Sequence, residues 1–222
     1  MITVPALGPE WKASELRDMT KRGRREDAAD RRAQKWKEWR RGERGLVGIV
    51  LAFTVPRVPG FQINQDNPLT NATGAFNKSI PVEFPRAPTN FSFPALADLQ
   101  IDTSSNFLPL KFNSLHADVF DLQTSRQVGS GDLGSMTFPA KQFTQISIPL
   151  NFSYIATNDS DTTWNNWYNA CRNSAFAPSG KRPPVQFRLV LGFDIAGLIG
   201  TKHAATDVTT ANCPVELPQS AP

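Results

Sequence analysis

The chain of 222 residues offers few groups able to do chemistry. Gly129, Gly131 and Gly134 have the G-x-G-x-x-G spacing. Such a triplet wraps a dinucleotide pyrophosphate only where a strand precedes it and a helix follows. Here Ser-Met-Thr-Phe-Pro follows, a strand pattern with Pro139 at its end, so the triplet predicts a glycine turn between two antiparallel strands. His116 falls on the polar phase of a strand and His203 in a loop-like TKHAA segment, and neither has a ligand partner at metal spacing. No G-x-S-x-G elbow or paired-carboxylate pattern is present. From these residues neither an enzyme nor a cofactor is expected.

Cys171 and Cys213 allow chemistry of a different kind. An even count permits a disulfide in an oxidising compartment, whereas in a reducing one the two would be buried thiols. Bonded, they would close a loop of about 43 residues, worth on the order of 4 kcal/mol by loop entropy. Five Asn-x-Ser/Thr sequons start at Asn71, Asn77, Asn90, Asn151 and Asn158, and none precedes residue 60. Each is an acceptor for N-glycosylation on a luminal or extracellular surface.

The sequons lie on one side of a short apolar run, Gly45 to Val58 (GLVGIVLAFTVPRV). The other side is basic: 13 of the 24 Lys and Arg but only 8 of the 20 Asp and Glu precede Gly45. Charges recur there at helical spacings of three and four, and the few apolar residues are too sparse to form a core. Trp36 and Trp39, with Arg40, Arg41 and Arg44, sit just before the run and match an interfacial membrane anchor with positive-inside charge. A spanning helix needs about 20 apolar residues, and the stretch from Leu46 to Val55 covers about half of that before Pro56 stops it. Its flanks therefore predict the second half of a membrane span. A signal-anchor topology would leave the N-terminus in the cytosol.

Beyond residue 60 the apolar period is two. Ile146, Ile148, Leu150, Phe152 and Tyr154 alternate with polar residues, as do Val185, Phe187, Leu189, Leu191, Phe193 and Ile195. Leu108, Leu110 and Phe112 alternate, then Leu115, Ala117 and Val119; the phase slips at Asn113-Ser114, which predicts a bulge. Shorter strands are expected at 61–64, 91–93, 99–101 and 133–138. About seven strands with one apolar face each predict a β-sandwich. One helix is expected near 162–173. Trp164, Trp167, Tyr168 and Cys171 share one of its faces, with Asp161 or Thr162 as N-cap. That helix would dock on the sandwich, and Cys171 could pin it to the C-terminal segment.

LQIDTSSNFLPLKFNSLHADVFDLQ, the turn QVGSGDLG and SMTFPAKQFTQISIPLNFSY together resemble the late embryogenesis abundant type 2 (water stress and hypersensitive response, WHy-like) domain. The order of basic tail, apolar span ending in VPRVP and closing ANCPVELP also resembles fungal single-pass membrane proteins that carry such a domain. The chain departs from the plant domain at Ser105-Asn106-Phe107, where an Asn-Pro pair is replaced. The resemblance implies an immunoglobulin or fibronectin III-like sandwich in the endomembrane or vacuolar system, with no reaction attached.

Three segments follow: a basic cytosolic tail, helical or disordered, over 1–44; an apolar membrane-anchor segment over 45–59; and a luminal or extracellular sandwich over 60–222. The expected partner is membrane lipid, in a binding or structural role. The competing reading is a soluble sandwich whose basic arm binds nucleic acid or builds an assembly. The acids interleaved in the arm weigh against nucleic acid.

Overall fold

The alternating segments form strands in the computed structural model, which describes residues 21–177 and 180–219, without the side chains of 21–27, 39 and 41–44. The expectation for residues 1–20 of the tail lies outside the described residues. Two compact units result, Met1–Ala52 and Phe53–Pro222.

The first unit carries a single long helix, α1 (Lys21–Thr54), which continues into the first two residues of the second. It passes through Gly23 and Gly45 without a break, so the change from charged to apolar sequence is not a change of secondary structure. Pro56, lacking an amide hydrogen, follows its last turn. Leu46, Val47, Ile49 and Leu51 are all exposed. Among the described residues, no helix is long and apolar enough to cross a membrane. The transmembrane helix expected from context is not found as such: ten apolar residues rise only about 15 Å.

The second unit is mainly β and antiparallel. Its strands are β1 (Gly60–Ile63), β2 (Leu69–Asn71), β3 (Asn90–Asp102), β4 (Leu110–Asp121), β5 (Gln127–Asp132), β6 (Met136–Phe138), β7 (Phe143–Ile155), β8 (Val185–Ile195) and β9 (Lys202–Ala211). Two short helices are added, α2 (Gly74–Ser79) and α3 (Thr162–Cys171). The hydrogen-bonded order is β1-β3-β7-β5-β4-β8-β9, with β2 beside β3 and β6 beside β4. The terminal strands of this path, β1 and β9, come into contact, so the sheet nearly closes on itself.

The apolar faces of β3, β4, β7 and β8 line one core. Phe61 of β1 packs on Phe193 of β8, ring centroids 4.9 Å apart, across that core. Burial of these faces is the main force holding the sheet in its curl. Helix α3 closes one end. Asp161 caps it by accepting the Trp164 N–H at 3.0 Å, and Trp167 enters the core beside Phe93 and Phe152.

Several elements depart from expectation. The stretches at 91–93 and 99–101 belong to one strand of 13 residues, β3. The bulge, by contrast, lies where the sequence predicts it, between Phe112 and Ser114. Gly129 and Gly131 lie within a strand, β5, and only Gly134 makes the turn, at φ +68°. Strand β5 joins the two halves of the sheet through Gly129↔Phe152 and Ser130↔Asn151. The reason for glycine there is close approach: a Cβ on Gly131 would overlap the Pro149 carbonyl. His203 is on strand β9, opposite Gly192, and not in a loop. β9 escaped notice because it is an edge strand with few buried positions and so lacks the two-residue apolar period.

Candidate functional site

The antiparallel register collects four chain segments at one end of the β body. Gly60 pairs with Asp102 and Asp102 with Phe143; Leu110 pairs with Phe138; Phe112 pairs with Ile195 and Phe193 with Lys202. The incoming segment 53–59 and the loops 103–109, 139–142 and 196–201 therefore meet there. We call this the proximal end, since the chain enters the body through it.

Asn106 ties the incoming segment down. It is 2 % exposed; its Oδ1 accepts the Arg57 N–H at 2.7 Å, and its Nδ2 donates to the Arg57 carbonyl at 3.0 Å. One side-chain amide thus satisfies both backbone groups of one residue, in the manner of a strand neighbour. Thr103 does the same for the next loop, its hydroxyl donating towards the Pro139 and Gln142 carbonyls. Gly197, at φ +91°, lets the third loop pass close to Pro56, where a Cβ would sit 3.2 Å from Pro56 Cγ.

The end built this way is apolar and basic. Phe107 is 41 % exposed, Leu108 52 %, Phe143 57 % and Ile199 95 %. Phe107 meets Phe53 edge-on at 4.5 Å, and Lys141 Nζ lies 3.7 Å above its ring. Arg57 approaches the same ring at 5.6 Å. Lys111 and Lys202 add two further cations beside the loops. The carboxylates near this end are engaged. Hydrogen bonds from the Ser104 hydroxyl and backbone N–H hold the Asp102 carboxyl below its ordinary pKa, and Asp194 accepts from the Ser114 hydroxyl at 3.2 Å.

The residues singled out in the sequence fall elsewhere. Cys171 and Cys213 are bonded as a disulfide, Cα atoms 5.2 Å apart, pinning α3 to the C-terminal segment. Asn71, Asn77, Asn151 and Asn158 are exposed, and Asn90 is half-buried at the start of β3. Asn158 Oδ1 accepts from both the backbone N–H and the hydroxyl of Ser160, its own sequon serine. Ser92 and Ser153, the serines of two further sequons, are direct cross-strand partners on β3 and β7. Arg40 lies 5.1 Å over the Trp36 ring, one turn away on α1. The side chains of Trp39, Arg41 and Arg44 lie outside the described residues.

Histidine His116 is exposed, 3.2 Å from Asp118 and 3.9 Å from Asp132. Among the described residues no three His, Cys, Asp or Glu side chains are grouped to hold a metal. An open groove of about 430 Å³ runs along β1, β3 and β7, and its one charge is Asp98. That carboxylate already accepts from Ser147 and Thr70 hydroxyls, at 2.6 and 3.2 Å. The groove thus holds an occupied structural carboxylate.

The exposed residues of the proximal end were missed in the sequence. The sequence puts Leu108 in the apolar phase of a strand with Leu110 and Phe112, but β4 starts at Leu110 and Leu108 is exposed; Phe107 and Ile199 carry no local pattern. Only the register brings them together.

No protein-family model matches the chain, and no curated protein matches it. Several solved structures match; one of them, described as a protein from Archaeoglobus fulgidus, covers 54 % of this chain and 86 % of its own length, at 13 % identity and a TM-score of 0.27. Likeness of that degree leaves the functional reading to the residues themselves.

Proposed function

We propose that this protein is a membrane-attached, non-enzymatic β domain of the immunoglobulin or fibronectin III-like class, similar to the late embryogenesis abundant type 2 domain. Its N-terminus is cytosolic, its body is luminal or extracellular and glycosylated, and it resides in the endomembrane system or at the cell surface. It acts by binding or by spacing at that membrane.

The observation that carries this reading is the proximal end. Phe107, Leu108, Phe143 and Ile199 are large apolar side chains left exposed beside Arg57, Lys111, Lys141 and Lys202. Apolar residues mixed with basic ones, on the end through which the chain arrives, suit the boundary between headgroups and acyl chains. Phe53 lies within the apolar run, and residues 45–55 of that run are exposed all round. A helix segment apolar on every side belongs in an apolar medium.

Flotation of the full chain with phosphatidylcholine vesicles, with and without phosphatidylserine, tests the reading. Association that strengthens with the anionic lipid and falls in Leu108→Ser/Ile199→Ser is the expected result. A protein that stays at the bottom of the gradient with both vesicles overturns it. Loss of mass on endoglycosidase digestion of the protein from a eukaryotic cell checks the side of the membrane. Unchanged mass would remove the luminal assignment.

A further inference from the structure

The far side of the body holds a second feature. A cleft of about 320 Å³ is lined by Arg86, Tyr168, Arg172, Asn173, Phe176, Leu217 and Pro218. We infer that this cleft binds a small ligand with an oxyanion head, a phosphate or sulfate ester, carried on a ring or other flat apolar group.

Charge is the first argument. Two guanidinium groups line the cleft, and no carboxylate does among the described residues. The neighbouring acid is Glu216, and it is committed: its Oε1 accepts the Ser174 N–H at 2.8 Å and the Ser174 hydroxyl at 2.9 Å. A planar guanidinium presents paired donors that match the spacing of phosphate or sulfate oxygens.

The second argument is an orphan donor. Arg172 Nε is buried and has no hydrogen-bond partner among the described residues. A buried donor left unmade is costly, and folded proteins rarely keep one without use. It lies on a side chain that lines the cleft.

Rigidity is the third. Arg172 directly follows Cys171, which is disulfide-bonded to Cys213. Its backbone N–H closes the last turn of α3 on the Tyr168 carbonyl at 2.8 Å, Leu217 N–H donates to the Cys171 carbonyl at 3.0 Å, and Asn173 Nδ2 donates to the Leu217 carbonyl at 3.1 Å. On the opposite wall the Arg86 guanidinium lies 5.3 Å over the Tyr168 ring, which stacks on Trp164 at 4.7 Å. The backbone that carries Arg172 and the ring beneath Arg86 are thus held before any ligand arrives, which lowers the ordering cost of binding. Phe176, exposed at the rim, with Leu217 and Pro218, supplies a flat apolar wall for the rest of the ligand.

The test is a titration of the full chain, followed by the Nε–Hε resonances of its arginines and by tryptophan fluorescence, since Trp164 stacks on the cleft's tyrosine. The probes are phenyl phosphate, phenyl sulfate, inorganic phosphate and benzyl alcohol. The expected result is saturable binding of a phenyl ester that moves the Arg172 Nε–Hε signal, weaker binding of inorganic phosphate and none of benzyl alcohol. Arg86→Gln, at an exposed side chain, leaves folding intact and weakens binding at least about tenfold, equal to one lost charge-assisted contact. Arg172→Gln, checked for folding by its thermal transition, does the same. Failure of both esters to saturate, or binding indifferent to Arg86→Gln, overturns the inference. Neither outcome touches vesicle flotation, which reads the opposite end of the body.

Discussion

Asn106 is a buried polar side chain that joins two distant stretches of the β body. Its amide reads as a loop residue in sequence, yet it holds both backbone groups of Arg57, 49 positions away. Replacing it with alanine removes both hydrogen bonds and leaves a partly buried backbone without partners. We expect Asn106→Ala to cost about 1–3 kcal/mol in urea unfolding and to open the segment 53–60 to limited proteolysis. Unchanged protection would mean that water replaces the amide in full. Carboxylates act at the same scale. Asp102, Asp207 and Glu216 are held below their ordinary pKa values by hydrogen bonds, from Ser104, from Arg188 and from Ser174 respectively. A carboxyl whose folded pKa is depressed stabilises the fold above its unfolded pKa, and that contribution disappears as pH falls through the folded one. The melting temperature should therefore be flat near neutrality and fall below about pH 4. Glu216→Gln should shallow that fall, measured by thermal scans on the acid side. Asp207 and Glu216 are exposed and Asp102 is only half-buried, so the effect is modest.

Among the elements, α3 is the clearest product of its own sequence. Asp161 caps it and also accepts the Tyr154 hydroxyl at 3.0 Å, joining helix and strand β7 through one carboxylate. Burial raises the Tyr154 pKa, with Asp161 adding to it. Trp167 donates to Asp121 at 3.1 Å while filling the core, so its one polar group is satisfied inside. The helix is then stapled by Cys171 to the segment that follows β9. Cys213→Ser should lower stability by about 4 kcal/mol, the loop-closure value. Denaturant midpoints of the oxidised, reduced and variant proteins measure it. A variant as stable as the oxidised parent would show that packing of Leu217 and Val215 holds the segment without the bond. Reduction also loosens the frame of the Arg86/Arg172 cleft, so binding of phenyl phosphate should weaken with it.

For the molecule as a whole, two ends have different chemistry. The proximal end is apolar and basic, and its carboxylates are engaged by serines; the other holds a cationic cleft behind a disulfide. The alternating residues between them are bound into one antiparallel sheet that nearly closes. Membrane attachment at one end and capture of an anionic ligand at the other are separate proposals, and vesicle flotation and ester titration fail independently of each other.

Much of this could be read from residue order. A strand with one buried face writes its period into the sequence, so β4, β7 and β8 were legible, as were the Asn113-Ser114 bulge and the stripe on α3, while β3 showed only as two short pieces. Residues 45–58 declared their apolar character, and the five sequons their positions. Three things needed the tertiary structure. Edge strand β9 and the glycine-bearing β5 carry no apolar alternation, since neither packs one full face of large side chains into the core. The glycines of β5 are explained only by the backbone of β7 lying against them. And the two candidate sites consist of residues up to about 140 positions apart, brought together by strand register and by the docking of α3, which no local pattern encodes.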